Sequence, residues 1–523
     1  MVRLLFTWML CLSSLAGVVR GRVTDGQQGL AGVLVYPDRL VRVRSRDLPP
    51  QALTDADGRF SLELGPADTV LAVEKSGWQR DLVPLAELSG PLVLRPAPAW
   101  DREKVLALRL DLPGIKQLRS DAELRAILFS RRPGEASAAN YYYEISKGSL
   151  ELEEGAMLHL DHPEPIEPAH PHPPRFMFDD RREELVGWAM EQVRGMDLKP
   201  FDQVNNRTGA PGPDGKPDHL WLIPPGPSRN VTNDPAHFGA ICFLRPLPWN
   251  FAKFWPVVFF PEESTLGSIV HEGIHAMGEH RVGDLYMDNS HPLTAGRWDI
   301  MDTGQFQGWD REHPNDFPWQ EDTGYSPAQP TGWVRCELWY CGRFRATVTT
   351  LKVSRAWEGW MDPLERAPRE PPQRVVVPDP RGRGRFWELN VRRPWGFDRG
   401  RTGNRWGPGY EGLVVARIDP GRLAVVKGYQ VLRQFQGPVR VVNAHPGGPQ
   451  PPPPYHPNGR WQLDGAAFNL GPGEVAAGRD GPLRWEVVAV DASGRMKVRV
   501  SLVGGRARKP HRMEARGSRI SPP

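Results

Sequence analysis

His271-Glu272-Gly273-Ile274-His275 is the stretch on which the reading of this 523-residue chain turns. On an α-helix, residues i and i+4 sit one turn apart on the same face, so two imidazoles can reach a single ion. Zinc takes histidine nitrogen at about 2.0–2.1 Å, and His-x-x-x-His is a common way for one helix to supply two ligands. Glu272 lies beside them, placed as general base for a zinc-activated water. Glu262-Glu263-Ser264 predicts an acidic, capped helix start. Leu266, Ile269, Val270, Ile274 and Met277 recur at helical spacing as a packing face, which leaves His271 and His275 on another. Five residues alone also suit a pair of satisfied core or surface histidines, so the neighbouring sequence has to decide.

Gly278, three residues past His275, is placed to break the helix and return the chain towards the ion. Gly283-Asp284-Leu285-Tyr286 follows, then Gly296-Arg297-Trp298-Asp299-Ile300-Met301-Asp302, then Pro327-Ala328-Gln329-Pro330-Thr331-Gly332-Trp333. Upstream stand Asn140-Tyr141-Tyr142-Tyr143-Glu144-Ile145-Ser146-Lys147-Gly148 and Asp214-Gly215-Lys216-Pro217-Asp218. Over residues 101–503 this series resembles the immune inhibitor A-type metallopeptidases, a metzincin-like group of secreted bacterial proteases. The resemblance implies zinc held by His271, His275 and a third ligand, with Met301 as an apolar floor beneath them. Three departures stand out. Ile274 replaces the usual Gly, Arg281 occupies the family's third-ligand position, and no Tyr lies two residues past Met301. Asp284, three residues beyond Arg281 in its Asp-Leu-Tyr setting, is therefore the chosen third ligand, with His280 as the alternative. The resemblance further implies calcium at Asp214 and Asp218. Asn205, Asn206 and backbone carbonyls would have to complete the six to eight oxygens that calcium takes.

The ends of the chain have another character. Met1-Val2-Arg3, the apolar stretch 4–12 and Ser14-Leu15-Ala16 read as a signal peptide cut after Ala16, with Arg20 and Arg22 closing it too early for an anchor. Residues 20–95 alternate apolar and polar in short runs split by turns such as Asp55-Ala56-Asp57-Gly58, which predicts a small antiparallel β-sandwich. They resemble a carboxypeptidase regulatory-like domain. Residues 101–345 mix helical and strand patterns, including a buried strand at 105–108 and helices at 120–129 and 181–193. Residues 346–505 are β-rich, with strands at 386–391, 412–418, 439–442, 485–490 and 496–502. The tail 506–523 is basic and unpatterned.

Composition limits the remaining classes. The 54 Gly and 55 Pro suggest many loops, and the prolines cluster so that the zinc helix falls inside the proline-free window 262–291. A net charge of +4 is too small and scattered for a nucleic-acid partner. Once Cys11 leaves with the leader, Cys242, Cys336 and Cys341 permit one disulfide. The expectation is a multidomain α+β protein: a metzincin-like core of mixed sheet and active-site helix, flanked by an N-terminal β-sandwich and a C-terminal β-rich domain. Its expected function is that of a secreted Zn2+-dependent endopeptidase acting on protein or peptide substrates, without a stable membrane anchor. The rivals are a thermolysin-like site using Glu312 or Glu321, and an exported binding protein built around a degenerate protease core.

Overall fold

Alternating runs at both ends of the chain predict strands there, and strand (33%) does outweigh helix (20%) in a multidomain α+β architecture. The computed structural model describes residues 17–98, 100–164, 177–206, 208–228, 238–243, 256–277, 282–285, 295–306, 326–382, 384–402, 410–426, 429–432, 438–446, 463 and 465–503. The expected leader (1–16) and the tail from 504 onward lie outside these residues.

The N-terminal unit has two sheets. One joins β1 (Gly17–Thr24), β4 (Arg59–Leu64) and β7 (Leu92–Val93); the other joins β2 (Leu34–Pro37), β3 (Ala52–Leu53), β5 (Val70–Glu74) and β6 (Asp81–Pro84). Their inward side chains share one core, with Val23, Phe60 and Leu62 from the first meeting Val35, Leu71 and Val83 from the second. The expected all-antiparallel arrangement needs one correction, because β1 and β7 run parallel. Asp55 serves the hairpin turn, accepting the amides of Asp57 and Arg59.

The middle unit is built on a mixed sheet of order β11-β12-β10-β8-β9, comprising β8 (Asp101–Asp111), β9 (Leu150–Asp161), β10 (His219–Ile223), β11 (Ile241–Phe243) and β12 (Val257–Phe259). All pairs are parallel except β11 with β12. Strands covered on both faces read as unbroken apolar runs, which is why Val105-Leu106-Ala107-Leu108 carries no polar alternation. Val105, Ala107, Trp221 and Val258 face one core, and Leu106, Leu108, Leu220 and Val257 face the other. The first core is covered by α1 (Asp121–Phe129), which opens on a Ser120/Glu123 capping box, by α2 (Ala138–Ile145) and by the His271 helix α4 (Leu266–Ala276). The second is covered by α3 (Met177–Gln192).

The C-terminal unit packs a five-stranded sheet, order β13-β15-β16-β17-β20, against a four-stranded one, order β14-β23-β22-β21. The first contains β13 (Thr350–Lys352), β15 (Arg374–Pro378), β16 (Phe386–Arg392), β17 (Gly412–Ile418) and β20 (Val439–Val441). The second contains β14 (Ala356–Met361), β21 (Ala477–Asp480), β22 (Leu483–Val490) and β23 (Met496–Leu502). A separate hairpin joins β18 (Leu423–Val426) to β19 (Tyr429–Leu432). Buried and half-buried ion pairs join the units: Arg80 to Glu144, Arg366 to Asp81 and Glu87, and Arg399 to Asp38. No disulfide joins the three described cysteines.

Candidate metal centre

The His271 helix begins differently from expectation. Its N-cap is Thr265, whose hydroxyl accepts the Ser268 amide, and not the Glu262-Glu263-Ser264 run. Glu262 is buried and accepts the amides of Leu118, Arg119 and Gly226 together with the Arg109 guanidinium. A buried carboxylate needs several donors and a cation, and that demand outweighs a place in the first turn.

The helix is also buried on every side, where the spacing predicted one packing face. Two glycines make this possible. A Cβ on Gly267 would lie 1.7 Å from the Gln305 carbonyl oxygen, and one on Gly273 would lie 2.1 Å from the Tyr142 hydroxyl. That hydroxyl donates to the Val270 carbonyl at 2.8 Å, so α2 reaches the backbone of α4 through the gap.

His271, His275 and Asp284 converge. His271 Nε2 lies 3.0 Å from Asp284 Oδ1, His275 Nε2 lies 3.1 Å from the same oxygen, and the two Nε2 atoms are 3.1 Å apart. Ligand-to-ligand edges around tetrahedral zinc are about 3.3 Å when the bonds are about 2.0–2.1 Å. Each imidazole Nδ1 faces a backbone carbonyl, Ile300 for His271 at 2.8 Å and Val282 for His275 at 2.6 Å. In a neutral ring, an Nδ1–H donated to a carbonyl fixes the tautomer and leaves Nε2 as a lone pair, the form a cation would bind. Two ring nitrogens and a carboxylate oxygen thus point at one another, an arrangement suited to a cation that displaces the ring proton. Burial alone would lower the His275 pKa, but the Asp284 carboxylate outweighs it and raises it to about 9. Burial opposes ionisation of Asp284, while His275 and His271 hold its carboxyl well below the usual range. The rings are almost wholly buried, and the Asp284 side chain is 40% exposed, so the group opens to solvent on that side.

Glu272 is buried next to this group. Burial pushes its pKa up, against the pull of His271 and His275, and the Cys242 amide hydrogen-bonds its carboxylate. Met301 is fully buried in the same core as Ile274 and Met277. Its turn acts through its neighbours: the Ile300 carbonyl orients His271, and the Met301 carbonyl accepts the Leu285 amide at 2.8 Å. Asp299 pins the turn by accepting the amides of Met301 and Thr331, while burial raises its pKa to about 6.

The residues considered for calcium are placed apart from this centre. Asp218 accepts the amides of Gln203 and Val204, and Asp214 those of Asn206 and Lys216. Both therefore serve to close their loop. Among the His, Cys, Asp and Glu side chains of the described residues, only His271, His275 and Asp284 form a group of three with ligand atoms within 4.8 Å of one another. His280, Arg281, Glu312 and Glu321 lie outside the described residues.

Sequence reasoning assigned no role to Tyr142, Cys242, Ile300 or Val282 at this site. The last three act through backbone atoms, which side-chain identity does not encode. Tyr142 stands in the tyrosine run of α2 and Gly273 inside α4, far apart in the sequence, and only the packing pairs them. No family model matches the chain, and no curated protein matches it.

Proposed function

We propose that this protein is a zinc-dependent endopeptidase of the immune inhibitor A-like, metzincin type, acting on protein or peptide substrates after export. The convergence of His271 Nε2, His275 Nε2 and Asp284 Oδ1 at 3.0–3.1 Å, with both Nδ1 atoms tied to carbonyls, carries the reading. Zinc in such a setting polarises a carbonyl and acidifies water. Glu272, buried beside the group, takes a proton from the attacking water and delivers it to the leaving amine. Among the described residues β11 is one of the two edge strands of its sheet, and it packs against α4. An extended peptide added to that edge by main-chain hydrogen bonds would run past Glu272. No helix among the described residues is long and apolar enough to cross a membrane.

The deciding experiment compares wild type with Glu272→Gln on an unfolded protein substrate, with and without chelator. Loss of a general base should lower kcat by about 10²–10⁴, and chelation should abolish cleavage by wild type. Undiminished cleavage by the variant would sink the mechanism. Stoichiometric zinc without cleavage by wild type would favour an exported binding protein.

A further inference from the structure

β16 of the C-terminal unit has two faces of opposite character. Trp387, Leu389 and Val391 enter the core between the two C-terminal sheets. The alternate residues Glu388, Asn390 and Arg392 are polar, almost fully buried, and directed at the metal-bearing unit. Glu388 accepts the Trp333 amide at 3.1 Å and the Arg374 guanidinium at 2.6 Å. Arg392 is 1% exposed and donates from NH1 to the Trp298 carbonyl at 2.9 Å and from NH2 to the Gln329 carbonyl at 3.2 Å. Its other contacts are with Asp398 and Glu365.

Trp298 opens the turn whose Ile300 carbonyl fixes the His271 ring. The opposite side of Trp298 is held by its indole, which donates to the Leu463 carbonyl at 2.7 Å. We propose that Arg392 is a positioning residue for the metal centre: the C-terminal unit, through this guanidinium, sets the 298–301 turn and thereby the orientation of His271. This inference rests on the zinc reading above and deepens it, because it makes the C-terminal unit part of the site's construction.

The choice of arginine follows from the geometry. One planar fork reaches two carbonyls on different segments while Asp398 and Glu365 neutralise it. A lysine ammonium keeps the charge but is a single point on a flexible stem, and it cannot hold both carbonyls in that plane. Arg374 supplies the control. It is equally buried in the same interface and pairs with Glu388 and Glu337, away from the 298–301 turn.

The test uses full-length wild type, Arg392→Lys and Arg374→Lys, stripped of metal and titrated with zinc against a chromophoric chelator. Thermal unfolding of the metal-free proteins is followed in parallel. Both variants should unfold at lower temperature than wild type. Zinc affinity should fall about tenfold in Arg392→Lys, the scale of an outer-shell change, and stay within about twofold of wild type in Arg374→Lys. Unchanged affinity in Arg392→Lys, or an equal loss in both variants, overturns the proposal. Absence of zinc binding by wild type overturns the underlying reading, and this inference with it. Should Arg392→Lys fail to fold, Asp398→Asn, which removes the charge that anchors the guanidinium, carries the same expectation.

Discussion

Replacing Gly273 by alanine tests whether the helix is shaped by what lies against it. The added Cβ would stand 2.1 Å from the Tyr142 hydroxyl and 3.2 Å from Cζ of the same ring. An ordinary contact is about 3.5 Å, so the hydroxyl must retreat by roughly 1.4 Å. Tyr142 is fully buried, with Tyr141 at 5.6 Å and Trp339 at 6.3 Å between ring centroids, so the ring must move against its neighbours. Overpacking of this kind costs about 1–3 kcal/mol. Loss of the hydroxyl's bond to Val270 adds about 0.5–1.5 kcal/mol. Alanine's better helix propensity returns about 1 kcal/mol. The net expectation is a loss of about 0.5–3.5 kcal/mol. In a Tyr142→Phe background the nearest remaining ring atom is Cζ, and the same substitution should be close to neutral. Chemical denaturation of the metal-free single and double variants, followed by tryptophan fluorescence, measures the coupling. Equal cost in both backgrounds would refute the clearance argument and leave the glycine unexplained, since its backbone is ordinary helix.

Two other outcomes follow from the same geometry. Asp284→Ala should weaken zinc binding by more than the roughly 10–100-fold typical of outer-shell changes, while His280→Ala leaves it intact; competition titration decides, and retention of metal by Asp284→Ala would remove that residue from the site. At the docking surface of the N-terminal unit, burial opposes ionisation of Asp81 and Glu87, but the Arg366 and Arg369 guanidiniums win and depress both carboxyls. A depressed folded-state value means the stabilisation is complete above the unfolded values of about 3.9 and 4.3 and is lost as pH falls below them. Asp81→Asn should therefore cost up to about 3–5 kcal/mol at pH 7, as for one broken buried pair, with the gap to wild type shrinking below pH 4. A pH-independent gap in thermal unfolding would contradict this.

Much of the fold could be read from the chain because periodicity and turn chemistry act locally. The alternation of Arg59–Leu64 appears as alternating exposure along β4, and the Ser120 capping box opens α1 where it was expected. Long-range pairing was less legible. The parallel partnership of β1 with β7 places Val23 beside Leu92, a contact that no local pattern announces. The same division holds at the site. His271, Glu272 and His275 follow from spacing, whereas the carbonyls of Ile300 and Val282 are chosen by how distant segments pack. Glu262 shows the converse error: an acid one turn before a helix suggested a cap, but a buried arginine on β8 claimed it.

The proposed third ligand illustrates why counting residues from the first histidine is a weak guide. Two hydrogen bonds fix the segment 282–285 at its ends: His275 Nδ1 donates to the Val282 carbonyl at 2.6 Å, and the Leu285 amide donates to the Met301 carbonyl at 2.8 Å. Between those anchors lie only Val282, Gly283, Asp284 and Leu285, and Asp284 alone has a side chain able to bind zinc. The anchors belong to His275 and to the turn that carries Met301, so they move with the proposed site and not with the chain count. Lengthening a chain connection costs an entropy that grows only slowly with length. Asp284, the thirteenth residue after His271, can thus bring its oxygen to 3.0 Å from His271 Nε2. Arg281 at the position the resemblance would favour therefore weighs little against Asp284 as the proposed ligand, because the position that matters is defined by the two backbone anchors.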